Sequence, residues 1–401
     1  MLIVHKYGGT SVGSLERIEN VAARVAKVRD AGNDLVVVVS AMSGETNKLI
    51  DYATHFTPNP AKQELDMLLS SGERVTAALL SIALQAKGYD AVAMSGRQAG
   101  IVTDTTHTYA RIESIDPTAM QQAIKNGKIV IVAGFQGINR DGNVTTLGRG
   151  GSDLSAVAIA GALKADACEI YSDVDGIYTT DPRIEPKAKK LDTISYDEML
   201  EMASMGAKVL QNRSVELAKK LNVKLYAKSS FSDNEGTLIT KESNNMEEVL
   251  VSGVVLDKNQ ARVTLRNVSD KPGIAAEIFT KLANEGINVD MIIQNVGIDG
   301  STNLGFTVPG NELENAKKVI ESFDHDIGSM DFDNNVCKVS VVGVGMKSHA
   351  GVAAKAFTAL AANNINIQMI STSEIKVSMI IDEKYGELAV RMLHDTYGLD
   401  K

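Results

Sequence analysis

A lysine and two glycines near the start of the chain stand where a loop could receive an anion. In HKYGGTSVG, Lys6 is followed by Gly8, Gly9 and two hydroxyl residues, and the apolar run Leu2–Val4 before it predicts a short strand. Glycines directly after a strand let the backbone approach a ligand closely, and the following helix adds the positive end of its dipole. The order matches neither the Walker A loop nor the dinucleotide-binding loop. The stretch therefore predicts an anion site of another type, or else a tight turn with a surface lysine.

A second glycine pair stands before an apolar helical pattern in TLGRGGSDLSAVAIA, residues 146–160. Arg149 precedes the pair, and a planar guanidinium ahead of a helix N-terminus suits a carboxylate. Ser152 or Asp153 is expected to be the N-cap of this helix, and capping alone would explain both residues. The arginine favours a second anion site here.

The loop YSDVDGIYTTDPRI, residues 171–184, follows the predicted strand CEIY and is rich in Asp, Gly and Thr. With two tyrosines and Arg183, it could hold a ribose, a base and phosphates. Asp173, Asp175 and Asp181 lack the order of an EF-hand loop, which needs alternate acidic ligands, a central glycine and a final glutamate. The loop is therefore a candidate nucleotide site and a poor candidate for calcium.

Two further charged residues lie in helical patterns. Lys208 is near the start of MGAKVLQNRSVELAKK, where a solvated surface lysine is the alternative. Gly72 and Glu73 interrupt the apolar pattern LLSSGERVTAALLS. Such a local conflict often marks a site, although an exposed kink would also explain it. Taken together, these loops predict two adjacent anion sites, one for a polyphosphate and one for a small acid.

Short apolar runs alternate with long helical patterns through the first part of the chain. Ser14 is the expected N-cap of a helix over 15–31, and Gly32 stands where a C-cap glycine belongs. Further helices are predicted over 62–87 and 153–164. The alternation predicts an α/β layered domain with a mostly parallel sheet, whose ligands bind beyond the carboxyl ends of its strands. Runs nearly continuous in Val and Ile predict the buried strands, which are Leu2–Val4, Leu35–Val39, Ala91–Met94, Ile129–Gly134 and Cys168–Tyr171.

The pattern changes near residue 240, where a polar, turn-rich stretch with one short predicted strand, TLIT, marks a boundary. Beyond it, GIAAEIFTKLANEGINVDMI (273–292) matches GVAAKAFTALAANNINIQMI (351–370) at a constant offset of 78 residues, with about half of the positions identical. The strand ARVTL (261–265) also matches CKVSV (337–341), with a two-residue slip in the loop between strand and helix. A repeat this long predicts two copies of a small α+β module, since solenoid periods are shorter.

Composition narrows the class of protein. The 401 residues are 44% hydrophobic and 23% charged, and the net charge of −9 comes without a basic block, which argues against nucleic acid or a membrane as partner. Cys168 and Cys337 lie in separate apolar runs and are expected to be buried, reduced thiols. The N-terminus enters a strand directly, and no targeting or membrane-spanning segment is apparent. These features predict a cytoplasmic protein.

Six motifs resemble, in order, those of the aspartate kinases of the amino-acid kinase superfamily. They are KYGGTSVG, VVSAMSGETN (38–47), SSGER (70–74), LGRGGSDLSA (147–156), SDVDGIYTTDPR (172–183) and GAKVLQ (206–211). The tail resembles the paired ACT domains of that family, with DKPG (270–273) at the expected loop. The resemblance implies an α/β, three-layer kinase domain with a mostly parallel sheet over 1–243 and two α+β, ferredoxin-like ACT domains over 244–336 and 337–401. A strand near 249–256 could pair with the second of these.

The activity implied by the resemblance is ATP-dependent phosphorylation of the β-carboxylate of L-aspartate. The product is 4-phospho-L-aspartate, and the reaction is the first step in the synthesis of lysine, threonine and methionine. Mg²⁺ would be carried by the phosphates, without a protein metal site. The implied catalytic residues are Lys6, Asp153 and Lys208, and the nucleotide-binding residues are Lys6, Tyr7, Gly8, Gly9, Thr10, Ser172, Asp173, Tyr178, Arg183 and Lys208. The implied aspartate-binding residues are Ser40, Thr46, Glu73, Arg149, Gly151 and Ser152.

Feedback regulation is also implied, with lysine, threonine or both as effector and a homodimer or other homo-oligomer formed through the ACT domains. In the second copy MKSHAGVAA replaces SDKPGIAA, so Asp270 and Pro272 have no equivalents, and its occupancy stays open. An internal start at Met246 would give a separate small subunit. The alternative for the repeats is a module that only dimerises the protein. The alternatives for the whole protein are an inert amino-acid sensor and a kinase with another acceptor. The implied effector residues are Asp270, Pro272, Gly273, Ile274, Ala275, Asn288 and Gln294, with His349–Ala353, Asn363, Ile365 and Asn366 in the second copy.

Overall fold

The computed structural model describes residues 1–204, 209–241, 251–269, 271–296, 301–323, 327–346 and 351–401. The chain divides into two units. The first contains Met1–Ile177, Lys190–Ser204 and the described residues 209–241. The second contains Tyr178–Lys189 and the described residues from 251 to 401.

The first unit alternates strands and helices as its sequence predicts. Its strands are β1 Leu2–Tyr7, β2 Asp34–Val39, β3 Ala91–Met94, β4 Ile101–Thr103, β5 Ile112–Ile115, β6 Ile129–Ala133, β7 Gln136–Asn139, β8 Val144–Thr146, β9 Ala167–Ser172, β10 Thr193–Ser195, β11 Leu225–Ser229 and β12 Thr237–Thr240. Its helices are α1 Leu15–Asp30, α2 Glu45–Phe56, α3 Lys62–Ala86, α4 Thr118–Lys125, α5 Gly151–Leu163, α6 Tyr196–Ser204 and α7 Asn212–Leu221.

Eight of these strands form one sheet in the order β10-β12-β11-β9-β1-β2-β6-β3. All neighbouring strands are parallel except β11 and β12. Strand β1 lies near the centre, where Lys6 is in register with Val38 of β2 and Ile170 of β9. The predicted mostly parallel sheet is thus confirmed, and β1 extends three residues beyond the predicted Leu2–Val4. A separate four-stranded sheet has the order β5-β4-β7-β8.

Helix α1 has the predicted ends. The Ser14 hydroxyl accepts a hydrogen bond from the backbone N–H of Arg17 at 3.3 Å. Gly32 follows the C-cap residue and has a φ of +84°, a left-handed conformation that glycine adopts without steric cost. The apolar residues Ile18, Val21 and Val25 lie in the core against β1 and β2. Local sequence signals therefore define this helix completely.

The predicted cap of α5 is wrong. The N-cap residue is Gly150, at a φ of +73°, and Ser152 and Asp153 lie inside the first turn of the helix. A Cβ atom at Gly150 would stand 2.2 Å from the Gln211 side chain, so only glycine fits this turn. The close approach of Gln211 decides the start of α5, and it frees Asp153 from a capping role.

Helix α3 is, within the described residues, the helix long and apolar enough to cross a membrane by length and composition. Half of its most apolar window is buried in the structure. Its buried face also carries Asp66 and Glu73. A mostly buried core helix passes the same test of length and hydropathy, so this result is weak evidence for a membrane span.

The second unit consists of two similar modules side by side. Its six strands form one sheet in the order β14-β15-β13-β16-β18-β17. The strands are β13 Gly253–Ser269, β14 Ile292–Val296, β15 Ser301–Val308, β16 Ile327–Val342, β17 Ile367–Thr372 and β18 Lys376–Asp382. The helices are α8 Ile274–Asn284, α9 Leu313–Glu321, α10 Val352–Ala362 and α11 Gly386–Tyr397.

The internal repeat is confirmed by the equivalence of α8 and α10. Each helix has 11 residues and begins after a left-handed glycine, Gly273 at a φ of 104° and Gly351 at 103°. Strand β13 contributes to both modules, because Val254 packs in the core with Val339, whereas Val263 packs in the core of the first module. The predicted boundary at 336/337 falls inside β16, which runs without a break, and the domain boundaries stay predictions.

Candidate active site

The glycine loop follows β1 at the carboxyl end of the large sheet. The N–H of Gly8 donates to the carbonyl of Tyr171 on β9 at 3.1 Å, and the N–H of Ser11 donates to the carbonyl of Gly8 at 2.9 Å. A Cβ atom at Gly9 would stand 3.0 Å from the Ala41 carbonyl oxygen, so the loops after β1 and β2 approach backbone to backbone. The sequence KYGG thus gives a loop fixed on both sides by neighbouring strands.

Lys6 and Asp153 form an ion pair beside this loop. The Nζ atom of Lys6 lies 2.7 Å from Oδ1 of Asp153, and each residue is only 8% exposed. Lys6 comes from the end of β1 and Asp153 from the first turn of α5. Because water screens such a buried pair weakly, Asp153 holds the lysine side chain in one direction.

Glu73 presents a buried carboxylate to the same region. It is 4% exposed, and its Oε1 atom accepts a hydrogen bond from the N–H of Ala41 at 3.1 Å. Its Oε2 atom has no hydrogen-bond partner among the described residues. Burial raises the pKa of Glu73 to about 7, although the N–H of Ala41 and the charge of Lys6 act to lower it. A buried oxygen in this state is a ready acceptor for a ligand ammonium group.

The other residues predicted for a small acid lie at strand ends and helix starts of the first unit. Arg149 is exposed in the turn between β8 and α5, and Ser152 is buried one turn further on. Ser40 follows β2, where its N–H donates to the carbonyl of Tyr7 at 3.1 Å. Thr46 is half-buried in the first turn of α2. Gly151 is the first residue of α5.

The residues predicted for a nucleotide divide between the two units. Ser172 ends β9, and its hydroxyl accepts a hydrogen bond from the N–H of Val174 at 3.2 Å. Asp173 and Thr10 are exposed. Tyr178 and Arg183 belong to the segment Tyr178–Lys189 of the second unit. Lys208 lies outside the described residues.

Two residues predicted to bind the nucleotide have side chains that contact other residues of the protein. The ring of Tyr7 is fully buried and stacks on Tyr171 with 4.8 Å between ring centroids, so only its backbone is left to meet a ligand. Burial raises the pKa of the Tyr7 hydroxyl. The Arg183 guanidinium is paired with Asp181 at 2.7 Å, yet 89% of its side chain is exposed to solvent. Arg183 is therefore accessible, whereas the Tyr7 ring is not.

A charged cluster behind the glycine loop escaped the sequence analysis. Glu169 accepts hydrogen bonds from the Tyr171 hydroxyl and from Nζ of Lys228, both at 2.7 Å, and lies 3.2 Å from Nε2 of the fully buried His5. Burial acts to raise the pKa of Glu169, but the bonds from His5, Lys228 and Tyr171 outweigh it and lower the pKa to about 2. The available signal was the alternation of His5, Lys6 and Tyr7, which puts His5 and Tyr7 on one face of β1 and Lys6 on the other.

The residues predicted for an effector lie in the second unit. Pro272, Gly273, Asn288 and Gln294 are exposed, and Ile274 and Ala275 are half-buried in the first turn of α8. In the second copy Asn366 is exposed. The Asn363 amide donates to the carbonyl of Ala359 at 3.0 Å, and Ile365 is a core residue, 3% exposed. Asp270, His349 and the proposed start at Met246 lie outside the described residues.

The two cysteines lie in the interior of the described parts of the chain. Cys168 and Cys337 are both buried and free, as expected. Burial raises the pKa of the Cys337 thiol to about 12. Among the described residues, no group of three His, Cys, Asp or Glu side chains could hold a metal ion.

Comparison with known proteins follows the same division of the chain. The amino acid kinase family matches residues 1–228, and the ACT domain matches residues 265–322 and 339–397. An aspartokinase of Helicobacter pylori strain J99 is 58% identical over 405 residues, which cover 100% of both chains. The chain belongs to the aspartokinase family.

Solved structures of aspartokinases share the fold. E. coli aspartokinase III in complex with aspartate and ADP superposes with a TM-score of 0.82 at 25% sequence identity, over 99% of both chains. The same enzyme in complex with lysine and aspartate gives a TM-score of 0.80 at 25% identity, again over 99% of both chains. The predicted fold class, an amino-acid kinase domain followed by ACT domains, is confirmed.

Proposed function

We propose that this protein is an aspartate kinase, which transfers the γ-phosphoryl group of ATP to the β-carboxylate of L-aspartate. One arrangement carries the proposal: the Lys6–Asp153 ion pair stands beside the glycine loop, and Glu73 directs an unpartnered buried oxygen into the same end of the sheet. Membership of the aspartokinase family and the aspartate and ADP bound by E. coli aspartokinase III support it.

Aspartate is proposed to bind through its α-amino and α-carboxylate groups. Glu73 accepts the ammonium group through its free Oε2 atom, and Arg149 pairs with the α-carboxylate. Ser40, Thr46, Ser152 and the backbone of Gly151 complete the pocket. This division leaves the β-carboxylate unpaired, so that it can face the transferred phosphoryl group.

The reaction needs positioning and charge more than acid–base chemistry. A carboxylate with a pKa of about 4 is already ionised at neutral pH, so no general base is required. One β-carboxylate oxygen attacks the γ-phosphorus, and the bond to the bridging oxygen of ADP breaks. Lys6 stabilises the charge on the phosphoryl oxygens. The N–H of Gly8 is already engaged with Tyr171, so we assign the backbone donors to Gly9 and Thr10.

Ser172, Asp173, Tyr178 and Arg183 are proposed to line the ATP site, with Lys208 on the phosphates opposite Lys6. Mg²⁺ is proposed to be carried by the phosphates. The preference of Mg²⁺ for phosphate and water ligands supports this.

Feedback control is proposed to act through the ACT modules, with lysine, threonine or both as effector. The lysine complex of E. coli aspartokinase III and the ACT domain match support an amino acid ligand. The left-handed Gly273 opens α8, whose N-terminal N–H groups suit the ligand carboxylate. We also propose a cytoplasmic location, a place early in the synthesis of lysine, threonine and methionine, and a homo-oligomer formed through these modules.

One assay tests the activity. The purified chain is incubated with ATP, Mg²⁺ and aspartate, glutamate, acetylglutamate or UMP in turn, and acyl phosphate is trapped with hydroxylamine. Hydroxamate is expected with aspartate only, and adding lysine or threonine is expected to reduce its rate of formation. Turnover with another acceptor would overturn the substrate assignment. Amino acid binding without any turnover would favour an inert sensor.

A further inference from the structure

Helix α3 carries a second buried carboxylate, Asp66, seven residues before Glu73. Asp66 is fully buried and Glu73 is 4% exposed. Seven residues are close to two helical turns, so both side chains leave the same face of α3, about 10 Å apart along its axis. A buried carboxyl group without hydrogen-bond partners is costly, so Asp66 requires partners for its oxygens.

Three donors surround Asp66. The N–H of Thr108 lies 3.1 Å from both carboxylate oxygens. The Thr146 hydroxyl donates to Oδ1 at 2.5 Å, and Nδ1 of His107 lies 2.7 Å from Oδ2. In the tautomer with hydrogen on Nδ1, His107 donates to Asp66. Asp66 therefore joins α3 to the β4–β5 loop and to the end of β8.

The β4–β5 loop in turn fixes the turn that carries Arg149. The N–H of Ala110 donates to the carbonyl of Thr146 at 2.9 Å. The Tyr109 ring lies against Gly148, where an added Cβ atom would be 2.5 Å from the ring. Gly148 has a φ of +79°, so this turn is confined by both its backbone and its neighbour.

Arg213 of α7 closes the arrangement from the other side. Its guanidinium donates to the carbonyl of Leu147 at 2.6 Å and to the carbonyl of Ala110 at 2.9 Å. It also lies over the Tyr109 ring, 4.6 Å from the centroid. The residues on either side of Arg149 thus have fixed backbone positions, although the Arg149 side chain itself is exposed.

We propose that Asp66 and His107 are positioning residues that set the distance between Arg149 and Glu73. Helix α3 contributes Glu73 directly and holds the Arg149 turn through Asp66, so one rigid element determines the spacing of the two groups. The inference rests on the proposed function, which assigns these groups to the α-carboxylate and the ammonium of aspartate. The spacing selects an amino acid zwitterion and leaves the nucleotide site unaffected.

Matched pairs of variants test this role. Thr146→Val and His107→Leu remove a donor to Asp66, whereas Thr146→Ser and His107→Asn retain one at the same position. We expect the first member of each pair to raise KM for aspartate about 10- to 100-fold, with KM for ATP changed less than about twofold. The second members are expected to restore KM for aspartate. Asp66→Asn should raise KM for aspartate as Thr146→Val and His107→Leu do. Glu64→Gln, on the exposed side of α3, serves as the control.

Two results would overturn the inference. Neither would affect the proposed function, provided that the wild-type protein phosphorylates aspartate. The first is an unchanged KM for aspartate in Thr146→Val and His107→Leu. The second is an equal rise in KM for aspartate and ATP, which a general loss of structure would produce. Circular dichroism and thermal unfolding accompany each variant, and if Asp66→Asn fails to fold, the two pairs decide. Absence of aspartate phosphorylation in the unmodified chain would instead overturn the proposed function.

Discussion

The Nζ atom of Lys6 lies 2.7 Å from Oδ1 of Asp153, and this contact joins the end of β1 to the first turn of α5. The lysine is thereby directed along the carboxyl edge of the sheet by a residue about 150 positions away in the chain. Two variants distinguish the effect of the Lys6 charge on turnover from the effect of its orientation.

Lys6→Ala is expected to lower kcat by about 10²–10³ while the fold is retained, because a charge that stabilises the phosphoryl transition state is lost. Asp153→Asn should lower kcat by less, since the lysine is still present but no longer held. The two effects should not add in the double variant, because both act through one ammonium group. Steady-state kinetics with aspartate and ATP measure this, with the exposed Lys87→Ala as control. Near-normal turnover in Lys6→Ala would contradict the assignment.

Glu73 should make aspartate binding depend on pH. Burial raises its pKa to about 7, so the carboxylate loses its charge as the pH falls below that value. We expect kcat/KM for aspartate to fall below about pH 7 in the wild type, because a neutral Glu73 attracts the ammonium group weakly. Glu73→Gln should have a low kcat/KM that no longer shows this step. A wild-type profile that is flat between pH 6 and pH 8 would argue against Glu73 as the ammonium ligand.

Ionisation of Glu73 should favour aspartate binding but lower the free energy of unfolding. A carboxyl whose folded pKa is raised opposes folding once it is ionised, with the full effect above about pH 7 and none below the unfolded value near 4.5. Glu73→Gln is therefore expected to stabilise the protein at pH 8 by at most about 3 kcal/mol, and by little at pH 4.5. Denaturant unfolding at the two pH values measures the difference. Glu64→Gln, exposed on the same helix, should change neither.

Gly273 and Gly351 allow the two ACT modules to be compared. Each has a φ near +104°, so Gly→Ala is expected to cost about 1–2 kcal/mol of stability at either position. If the first module holds the effector, Gly273→Ala should weaken inhibition by lysine or threonine, while Gly351→Ala leaves it unchanged. The measurement is the effector concentration for half inhibition, with the exposed Ala276→Ser as control. Equal weakening in both variants would indicate two occupied modules.

Thr179 and His394 should stabilise the second unit. The Thr179 hydroxyl lies 3.0 Å from Nε2 of His394, and both residues are buried. Thr179→Val leaves the imidazole unsatisfied and is expected to cost about 1–3 kcal/mol, whereas Thr179→Ser should cost less. Burial lowers the pKa of His394, so this residue should reduce stability as the pH falls below its unfolded value near 6.5. A thermal midpoint in Thr179→Val equal to that of the wild type would contradict this role.

Hydrophobic periodicity predicted most elements of the fold, because buried strands and amphipathic helices leave a local pattern. The cap of α5 could not be predicted locally, since the approach of Gln211 to Gly150 depends on how α7 packs. The motifs singled out Lys6, Glu73 and Arg149 as candidate site residues, and these assignments stay predictions. The motifs gave no sign of the partnership between Asp66 and His107, because only the folded chain brings α3 to the β4–β5 loop. Likewise, KYGG marked Tyr7 as a neighbour of the site without showing that its ring is buried.

The segment Tyr178–Lys189 affects how the protein can be divided experimentally. Ile184 packs with the second ACT module, the N–H of Val254 donates to the carbonyl of Thr179 at 2.8 Å, and His394 contacts the Thr179 hydroxyl. A chain truncated after residue 243 would retain this segment and delete these partners. An isolated kinase half would therefore carry residues 178–189 without these contacts. Chimaeras that exchange regulatory halves between relatives should exchange residues 178–189 together with the C-terminal portion.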